Sequence, residues 1–560
     1  MSGEEAAPDF RGIGVSPGTV FGPAYLVAEP IGVDAAEPAG SAADAPKVAQ
    51  AYQDVAAELD ELAARREGEF AEILAMTADL ARDKGLLKST LKQLELGKGV
   101  TAAVYNAVAE YALMLESIGG YMAERVTDLQ SIRDRVIAKL RGVPAPGVAH
   151  FAEPGVVVAK DLSPAQTADF DLSKVLAIVT EFGGPTSHTA ILAATLGIPA
   201  VVAAPEVTKI AAGSGVLVDG RTGSVWADPD PEFVQAQLVA AQKREEFLAS
   251  TTGDGQTADG MPVALKVNIG TLADAQKLHE ADVQGVGLLR TEFMFLTGAQ
   301  APSIDAQESN FRGILEAFAG KPVTVRTLDI GADKPVPFID QSGEENPALG
   351  QRGIRLCQAN QELLDVQLSA LGNVAKENTR VMAPMVATVA EAKWFAELAR
   401  AKGIANVGIM IETPAAAIQA RRLMERADLD FVSIGTNDLT QYVMAADRLH
   451  PALTELNDPW QVAVLELIRG ICEAGQATDT HIGVCGEAAG DPILALVLVG
   501  LGVYSLSMSA AKVPAVRAAL ARHTLAQCQE LARIALAADS ASEAKASVSA
   551  QIAETVALCG

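Results

Sequence analysis

The sequence is poor in positive charge. Its 560 residues carry 44 Lys and Arg against 70 Asp and Glu, which gives a formal net charge of -26 at pH 7. Such a field repels nucleic-acid backbones and anionic membrane surfaces, so no nucleic-acid partner is expected. A phosphate-bearing substrate can still bind where basic side chains are concentrated in one cleft. Individual arginines therefore matter more than the total charge.

Long apolar runs and a secretory signal are also missing. The opening residues MSGEEAAPDF are acidic and lack an apolar core. The most apolar stretch, Ile493 to Val503, is far shorter than the roughly 20 residues that cross a bilayer, and it predicts a buried helix. We therefore expect a cytoplasmic protein without membrane insertion.

Cysteine is scarce. The odd number and the absence of a CxxC pair argue against a disulfide framework and against a cysteine-based zinc site. A reducing compartment fits this pattern. The five residues are Cys357, Cys472, Cys485, Cys528 and Cys559.

The chain is long enough for several domains, each with its own core. After the glycine-rich opening at Gly12 to Gly18, apolar residues recur at spacings of three and four up to about residue 142, as in Val48, Tyr52 and Val55. This spacing predicts amphipathic helices that pack as a bundle. The segment Gly142 to Gly147 then interrupts the pattern, and the short β-branched runs that follow predict a compact α/β domain.

From Met261 onward, eight short apolar runs each precede polar residues and a longer helical segment. Eight such units over roughly 250 residues have the size and period of a (β/α)8 TIM barrel. In that fold the carboxyl ends of the strands form the mouth where ligands bind. Ordinary surface residues would explain any one polar residue at a strand end, but hardly all of them together. The residues that follow these runs include Arg290, Arg326, Glu412, Asn437, Asp438 and Cys485.

A histidine lies at a predicted helix start in the α/β domain. Two glycines, Gly183 and Gly184, separate the run VLAIVTE from a helix predicted to begin near Ser187. His188 then falls in the first helical turn, where free backbone N–H groups and the helix dipole favour an anion such as a phosphate on its ring. Alternatively, Thr186 and Ser187 only cap the helix and His188 is an ordinary histidine. The glycine loop favours the functional interpretation.

The barrel residues suggest an anion site with a metal. Guanidinium groups bind phosphate and carboxylate in a bidentate manner. Glu412 and Asp438, together with substrate oxygens and water, suit the oxygen-only preference of Mg²⁺, although each acid could instead pair with an arginine. Cys485 is either a small core residue or, at the mouth, a proton donor. The candidate anion-binding arginines are Arg290, Arg326, Arg352 and Arg448.

These motifs resemble Enzyme I of the bacterial phosphoenolpyruvate-dependent sugar phosphotransferase system, essentially over the whole chain. The matching segments are GGPTSHTAILA (Gly183 to Ala193), GLLRTEF (Gly287 to Phe293), VRTLDIGADK (Val325 to Lys334), EENPALGQRGIR (Glu344 to Arg355), IETPAA (Ile411 to Ala416), SIGTNDLTQY (Ser433 to Tyr442) and CGEAAGD (Cys485 to Asp491).

The resemblance implies a phosphoenolpyruvate-protein phosphotransferase that moves a phosphoryl group from phosphoenolpyruvate to His188 and then to a histidine of the carrier protein HPr. It also implies Mg²⁺ as cofactor and a homodimer formed through the barrel. The implied roles are phosphate binding by Arg290 and Arg326, completion of the anion site by Asn437 and Arg448, further charges at the mouth from Arg352 and Lys334, Mg²⁺ binding by Glu412 and Asp438, and protonation of the enol carbon by Cys485.

With this resemblance, we predict six segments. They are a strand segment at 1–25 that packs with the phosphohistidine domain, a helical HPr-binding domain at 26–142, the phosphohistidine α/β domain at 143–228, a linker helix at 229–255, the phosphoenolpyruvate-binding barrel at 256–535 and a C-terminal helix at 536–560.

The sequence departs from the family pattern in two regions. Pro185 and Ala194 stand where the family usually has arginine, so two cations near His188 are missing and its resting contacts are expected to differ. In the helical domain, LAMT at Leu74 to Thr77 replaces the usual FEAH, and TDLQSI at Thr127 to Ile132 replaces ADVRDI. These changes concern the docking of the carrier.

Two other functions remain open at this point. Pyruvate phosphate dikinase and phosphoenolpyruvate synthase share a phosphohistidine domain and a similar barrel, but they need a large ATP-binding domain ahead of the histidine. The segment before His188 reads as helices without a glycine-rich nucleotide loop. A regulatory paralogue with a specialised carrier is the second alternative, and the intact set of candidate residues favours chemistry over it.

Overall fold

The computed structural model describes residues 7–27, 32–33, 37–65, 69–118, 125–143, 145, 151–163, 166–167, 170–184, 187–296, 300–331, 336, 338–339, 344, 346–448, 450 and 453–560. The chain forms two compact units, Met1–Lys243 and Arg244–Gly560. Each unit has its own hydrophobic cores and is described by itself.

The predicted helical bundle is confirmed in the first unit. One face of its first helix is buried, including Val48, Tyr52 and Val55 of the predicted apolar stripe, and it packs in one core with Leu129 and Ile132 of the last helix. The bundle helices are Ala45–Ala64, Glu69–Ala81, Lys84–Glu95, Val100–Ile118 and Val126–Arg141.

The α/β part of the first unit is built on one eight-stranded sheet within the described residues. Its strand order is β1-β8-β7-β3-β4-β5-β6-β2, in which β3 to β6 run parallel and the other strands pair antiparallel with their neighbours. Helices His188–Leu196 and Pro231–Ser250 follow β5 and β8. The strands are β1 Phe10–Arg11, β2 Ile13–Ser16, β3 Thr19–Leu26, β4 Gly155–Ala159, β5 Val175–Thr180, β6 Ala200–Val202, β7 Gly215–Asp219 and β8 Ser224–Ala227.

The sheet explains two features of the sequence. Its central strand β4, GVVVA, is buried throughout, as expected for a parallel strand covered on both faces. The N-terminal strands join strands that lie more than 100 residues later in the chain, for example where Ala24 of β3 faces Val156 of β4.

The second unit is a closed barrel of eight parallel strands among the described residues, which confirms the predicted (β/α)8 fold. The barrel closes where Leu506 of the last strand faces Leu265 of the first. The strands are β9 Ala264–Ile269, β10 Val286–Arg290, β11 Val323–Arg326, β12 Thr379–Ala383, β13 Asn406–Ile411, β14 Phe431–Ile434, β15 His481–Val484 and β16 Ser505–Met508.

Helices surround this barrel and continue to the C-terminus. They are Leu272–Leu278, Phe293–Leu296, Ile304–Ala317, Ile354–Ala359, Gln361–Val374, Val389–Ala401, Pro414–Ile418, Ala420–Arg426, Thr436–Val443, Val462–Thr478, Pro492–Leu501, Val513–Ala521, Leu525–Leu536, Ala541–Gln551 and Ala553–Cys559.

The most apolar stretch forms one of these helices, Pro492–Leu501, and is almost entirely buried, as predicted. Asp491 caps its N-terminus by accepting hydrogen bonds from two backbone N–H groups, and Gly502 ends it in the left-handed conformation. None of the helices in the described ranges has the length and hydropathy needed to span a membrane.

Candidate active site

The barrel places most of the candidate residues at the carboxyl ends of its strands. Arg290 and Arg326 end β10 and β11, and Glu412 directly follows β13. Asp438 lies in the first turn of the helix that follows β14, and Cys485 directly follows β15. Because parallel strands present these ends on one side of a barrel, the side chains share the mouth.

Arg326 is held by two buried acids that sequence reasoning missed. It forms ion pairs with Glu292 and with Asp329, the latter at 2.9 Å between Nη1 and Oδ2. Burial alone would lower the pKa of Arg326, but the negative charges of Glu292 and Asp329 raise it above its ordinary value. Glu292 lies in the motif GLLRTEF and Asp329 in the motif VRTLDIGADK, each within three residues of a strand-end arginine, and this spacing is the sequence signal for an ion pair.

Arg352 joins two acids across the mouth. Its Nε and Nη2 donate to the two carboxylate oxygens of Asp329 at 3.1 and 3.0 Å, and its Nη1 donates to Asp438 Oδ1 at 2.8 Å. Arg448 approaches the other oxygen of Asp438 at 3.5 Å. Acids and arginines thus alternate through the network, so each buried charge has an opposite neighbour.

Glu412 and Asp438 differ in protonation. Burial, together with the negative charges of Asp438 and Asp329, raises the pKa of Glu412 to about 8. Burial would raise the pKa of Asp438 too, but Arg448 and Arg352 hold it below its usual range. Glu412 therefore carries a proton for most of the time at neutral pH, while Asp438 is ionised.

The backbone fixes Glu412 in position. Its Oε2 accepts a hydrogen bond from the N–H of Met385 at 2.8 Å. Met385 has a φ of +59°, a left-handed conformation that side chains other than glycine seldom adopt. Strained residues of this kind cluster at functional sites, because surrounding contacts must hold them there. The Glu412 carboxylate is one of those contacts.

The two acids fit a divalent cation. No cage of three or more His, Cys, Asp or Glu side chains occurs in the part of the chain that the structure describes. Mg²⁺, however, is commonly bound by one or two carboxylates together with substrate phosphates and water. After burial, the negative charges of Asp438 and Asp329 contribute to the raised pKa of Glu412, and a cation would offset these charges.

Arg290 differs from the other arginines because it is exposed and unpaired. Within the described residues no carboxylate forms an ion pair with it. Partial desolvation by the rim lowers its pKa, and the like charge of Arg326 lowers it further. An exposed cation beside a buried one is a suitable place for a phosphate.

Asn437 is also positioned at the rim, by the loop that carries Cys485. Its side-chain oxygen accepts a hydrogen bond from the backbone N–H of Glu487 at 2.9 Å. The amide nitrogen of Asn437 then faces the side chain of the same residue, with 3.5 Å between Nδ2 and Glu487 Oε1. The amide is therefore held by the loop that follows β15.

Cys485 lies inside the barrel, in an apolar layer formed with Leu288, Met382, Met410 and Phe431. Burial raises the pKa of its thiol to about 11, so the group keeps its proton at neutral pH. Glu412, Arg326 and Arg290 are close enough to act on it electrostatically. Its place in the apolar layer next to the charged mouth is compatible with either predicted role.

In the first unit, the helix expected near Ser187 begins at His188. Ser187 is its cap, with Oγ accepting from the backbone N–H of Ala190 at 3.3 Å. The preceding Gly183 has a φ of +99°, which the glycine loop requires. The side chain of His188 lies outside the described part of the structure, as do Pro185 and Lys334, whereas Ala194 is exposed at the surface.

Family models match three regions of this chain. They describe the N-terminal domain of PEP-utilising enzymes at residues 11–125, the mobile domain of these enzymes at 151–223 and their PEP-binding domain at 244–525. The mobile-domain match contains His188, and the PEP-binding match contains the charged mouth of the barrel.

Curated relatives match nearly the whole chain. A phosphoenolpyruvate-protein phosphotransferase of Streptomyces coelicolor is 46% identical over 96% of this chain and 98% of its own length. A protein of the same name from Haloferax volcanii is 42% identical over 80% of this chain and 81% of its own. A solution structure of an Enzyme I protein is 31% identical, with a TM-score of 0.35, over 42% of this chain and 99% of its own. The chain therefore belongs to the phosphoenolpyruvate-protein phosphotransferase family, Enzyme I.

Proposed function

We propose that this protein takes the phosphoryl group of phosphoenolpyruvate onto His188 and passes it to a histidine of HPr, the first step of sugar uptake by the phosphotransferase system. The observation that supports this most is the charged mouth of the barrel. There an unpaired arginine lies beside a buried network that ends at two carboxylates of different protonation.

In this proposal, Arg290 and Arg326 bind the phosphate of the substrate. Arg290 is exposed and has no competing carboxylate among the described residues, so it can take the phosphate directly. Asn437 and Arg448 complete the anion site from the other side of the mouth. Arg352 holds Asp329 and Asp438 in place, and Lys334, outside the described residues, is proposed as a further charge at the mouth.

Mg²⁺ is the proposed cofactor, held by Glu412 and Asp438. When bound, it would neutralise negative charge on the substrate phosphate and carboxylate. Its binding requires Glu412 to lose its proton, because the metal takes the ionised carboxylate. Asp438 is already ionised and needs no such change.

Phosphoryl transfer then depends on positioning and on charge. The neutral ring nitrogen of His188 attacks phosphorus, the new N–P bond forms, and the bond between phosphorus and the enol oxygen breaks. Arginines at the mouth stabilise the charge on the transferring oxygens, which is the main requirement for a loose phosphoryl-transfer transition state. The thiol of Cys485 gives its proton to the enol carbon, and pyruvate leaves.

The remaining parts of the proposal concern assembly and location. A homodimer through the barrel follows from the family resemblance alone. A cytoplasmic location is supported by the cysteines, because all five are free and buried.

The test is incubation of the purified chain with labelled phosphoenolpyruvate and Mg²⁺, with and without HPr. The expected product is an acid-labile, base-stable phosphoprotein whose label moves to HPr. His188→Ala should lose all label, whereas the control His279→Ala, which changes an exposed histidine elsewhere, should keep it. Label retained by His188→Ala would contradict the assignment.

A further inference from the structure

Two cationic side chains lie inside the barrel below the apolar layer that contains Cys485. Lys266 of β9 is only 5% exposed, and Arg380 of β12 is half-buried. Residues two apart on a strand face the same side, so Lys266 shares the interior face with Asn268, and Arg380 shares it with Met382. Asn268 and Met382 are nearer the mouth, and the two cations therefore lie at a lower level of the interior. They are therefore separate from the charged mouth described above.

Neither cation has a counter-charge. In the described part of the chain, the side chain of Lys266 makes no hydrogen bond or ion pair. Arg380 likewise has no carboxylate partner there, and its guanidinium lies 5.7 Å from the centre of the Phe431 ring. An unpaired charge inside a protein is costly, and two like charges that face each other add to that cost.

Lys266 and Arg380 line a cavity of about 20 Å³. Four Ser and Thr side chains line it as well, and within the described residues two of them, Thr324 and Ser505, have hydroxyls without a hydrogen-bond partner. A cavity of this size admits one particle about as large as a water molecule. The surroundings are therefore polar and small.

The donor chemistry decides what fits there. An ammonium and a guanidinium only donate hydrogen bonds, and hydroxyl groups are able to donate as well. A water molecule could donate to the two hydroxyl oxygens and accept from the cations, but it would leave both positive charges without compensation. An anion accepts hydrogen bonds from all four groups and also offsets the positive charges of Lys266 and Arg380.

We propose that this cavity, formed by Lys266, Arg380, Thr324 and Ser505, is a binding site for one small monoatomic anion of the halide class, such as chloride. The anion stabilises the barrel by compensating the buried Lys266 and the half-buried Arg380. Burial and the charge of Arg380 lower the pKa of Lys266 to about 8, which still leaves it mostly charged at neutral pH.

The side of the cavity away from the mouth lies next to an outer cleft. The rings of His481 and Tyr504 stack with their centres 4.5 Å apart. Both residues line the small cavity and also an outer cleft of about 280 Å³. A small displacement of this ring pair would connect the cavity with solvent, so the site can exchange its anion without opening of the barrel.

Crystals of the full chain grown or soaked in sodium bromide test the proposal. Anomalous scattering should show a bromide within hydrogen-bonding distance of Lys266 Nζ and the Arg380 guanidinium. Bromide only at surface positions, with water or nothing in the cavity, would overturn it.

A solution experiment gives a second readout. At pH 7 and equal ionic strength, chloride should raise the melting temperature relative to gluconate, which is too large to enter, and the increase should grow with chloride concentration. Lys266→Met should lose this chloride increment. The control Lys321→Met, which changes a lysine bonded to the Ala281 carbonyl outside the cavity, should keep it. An equal increment in the parent and in Lys266→Met would count against the site.

Discussion

Arg290 and Arg326 end neighbouring strands of the barrel, yet their surroundings differ. Arg326 is buried between Glu292 and Asp329, whereas Arg290 is exposed and unpaired within the described residues. The same residue type at the same kind of strand end is therefore fixed by acids of the fold in one case and left without an acidic partner in the other.

This difference predicts opposite results for two matched substitutions. Arg326→Met should lower the free energy of unfolding of the barrel by about 3 to 5 kcal/mol, because it leaves the buried Glu292 without its cation and Asp329 with Arg352 alone. Arg290→Met should leave stability nearly unchanged but weaken phosphoenolpyruvate binding. Thermal unfolding and binding calorimetry on both variants check this, and equal loss of stability in the two would show that Arg290 is also structural.

Cys485 has two possible roles that a single substitution separates. If its thiol is the proton donor, Cys485→Ala should bind phosphoenolpyruvate and Mg²⁺ about as well as the parent, while pyruvate formation falls on the order of 100-fold to 10,000-fold. Phosphoryl exchange between His188 and HPr should survive, because that step protonates no carbon. Measurement of pyruvate release, exchange and melting temperature decides the matter. Near-normal pyruvate release with lower thermal stability would show that Cys485 is a core packing residue and not the proton donor.

The raised pKa of Glu412 predicts a pH-dependent stability. A carboxyl group whose pKa is raised by folding stabilises the folded state fully at low pH, and this contribution is lost as the pH rises through the folded pKa of about 8. The neutral Glu412→Gln should avoid this loss. In metal-free buffer, the stability of Glu412→Gln relative to the parent should therefore increase between pH 5 and pH 8, by up to about 1.4 kcal/mol per pH unit. The difference in melting temperature between the two proteins measures this increase. A difference that does not change with pH would mean that Glu412 is ionised throughout.

At the scale of elements, the strands of the barrel could be predicted because their signal is local. Each short apolar run is followed by polar residues and a helical pattern, and each run became a strand. The helix start at His188 was readable for the same reason, since a cap and a glycine loop act within a few residues. The burial of the helix Pro492–Leu501 could be predicted from its apolar composition alone.

Contacts between distant parts of the chain could not be predicted in this way. Arg352 meets Asp438 only because the barrel closes, and 86 residues separate them. Lys266 and Arg380 likewise come together through the barrel interior, although nothing near either residue in sequence indicates an anion site. Spacing along the chain identifies candidate residues, whereas closure of the barrel decides which of them pair.

One loop shows how an element positions the site. Gly353, just before the helix Ile354–Ala359, has a φ of +57°, and a Cβ there would lie 3.0 Å from Met385 Cβ and 3.2 Å from Asp329 Oδ1. Gly353→Ala should therefore lower barrel stability and weaken phosphoenolpyruvate binding, because it pushes on the residues that hold Glu412 and Arg352. Thermal unfolding and binding calorimetry measure the two effects.

Gly403 offers the matched control for this prediction. It also has a positive φ, of +82°, but a Cβ there would meet nothing within 4 Å. Gly403→Ala should cost only the backbone strain, of about 1 kcal/mol, and leave substrate binding intact. Equal binding losses in both variants would show that the effect comes from general destabilisation of the barrel.

At the scale of the whole molecule, the cores suggest which part can be separated. The cores of the first unit contain only residues that precede its end at Lys243, and the barrel core contains only later ones. Phe233, in the helix that follows β8, contacts Trp226 of the sheet with ring centres 5.5 Å apart. A fragment should therefore include this helix start and end at Lys243.

We predict that the fragment Met1–Lys243 folds alone, because none of its hydrophobic cores needs a residue from the barrel. It should accept label from phosphorylated HPr, since His188 and the helical bundle are both present. It should remain unlabelled with phosphoenolpyruvate and Mg²⁺, because Arg290, Glu412 and Asp438 belong to the other unit. Circular dichroism and the two labelling reactions test this, with the fragment carrying His188→Ala as the unlabelled control. Direct labelling of the parent fragment by phosphoenolpyruvate would show that the barrel is not the substrate site.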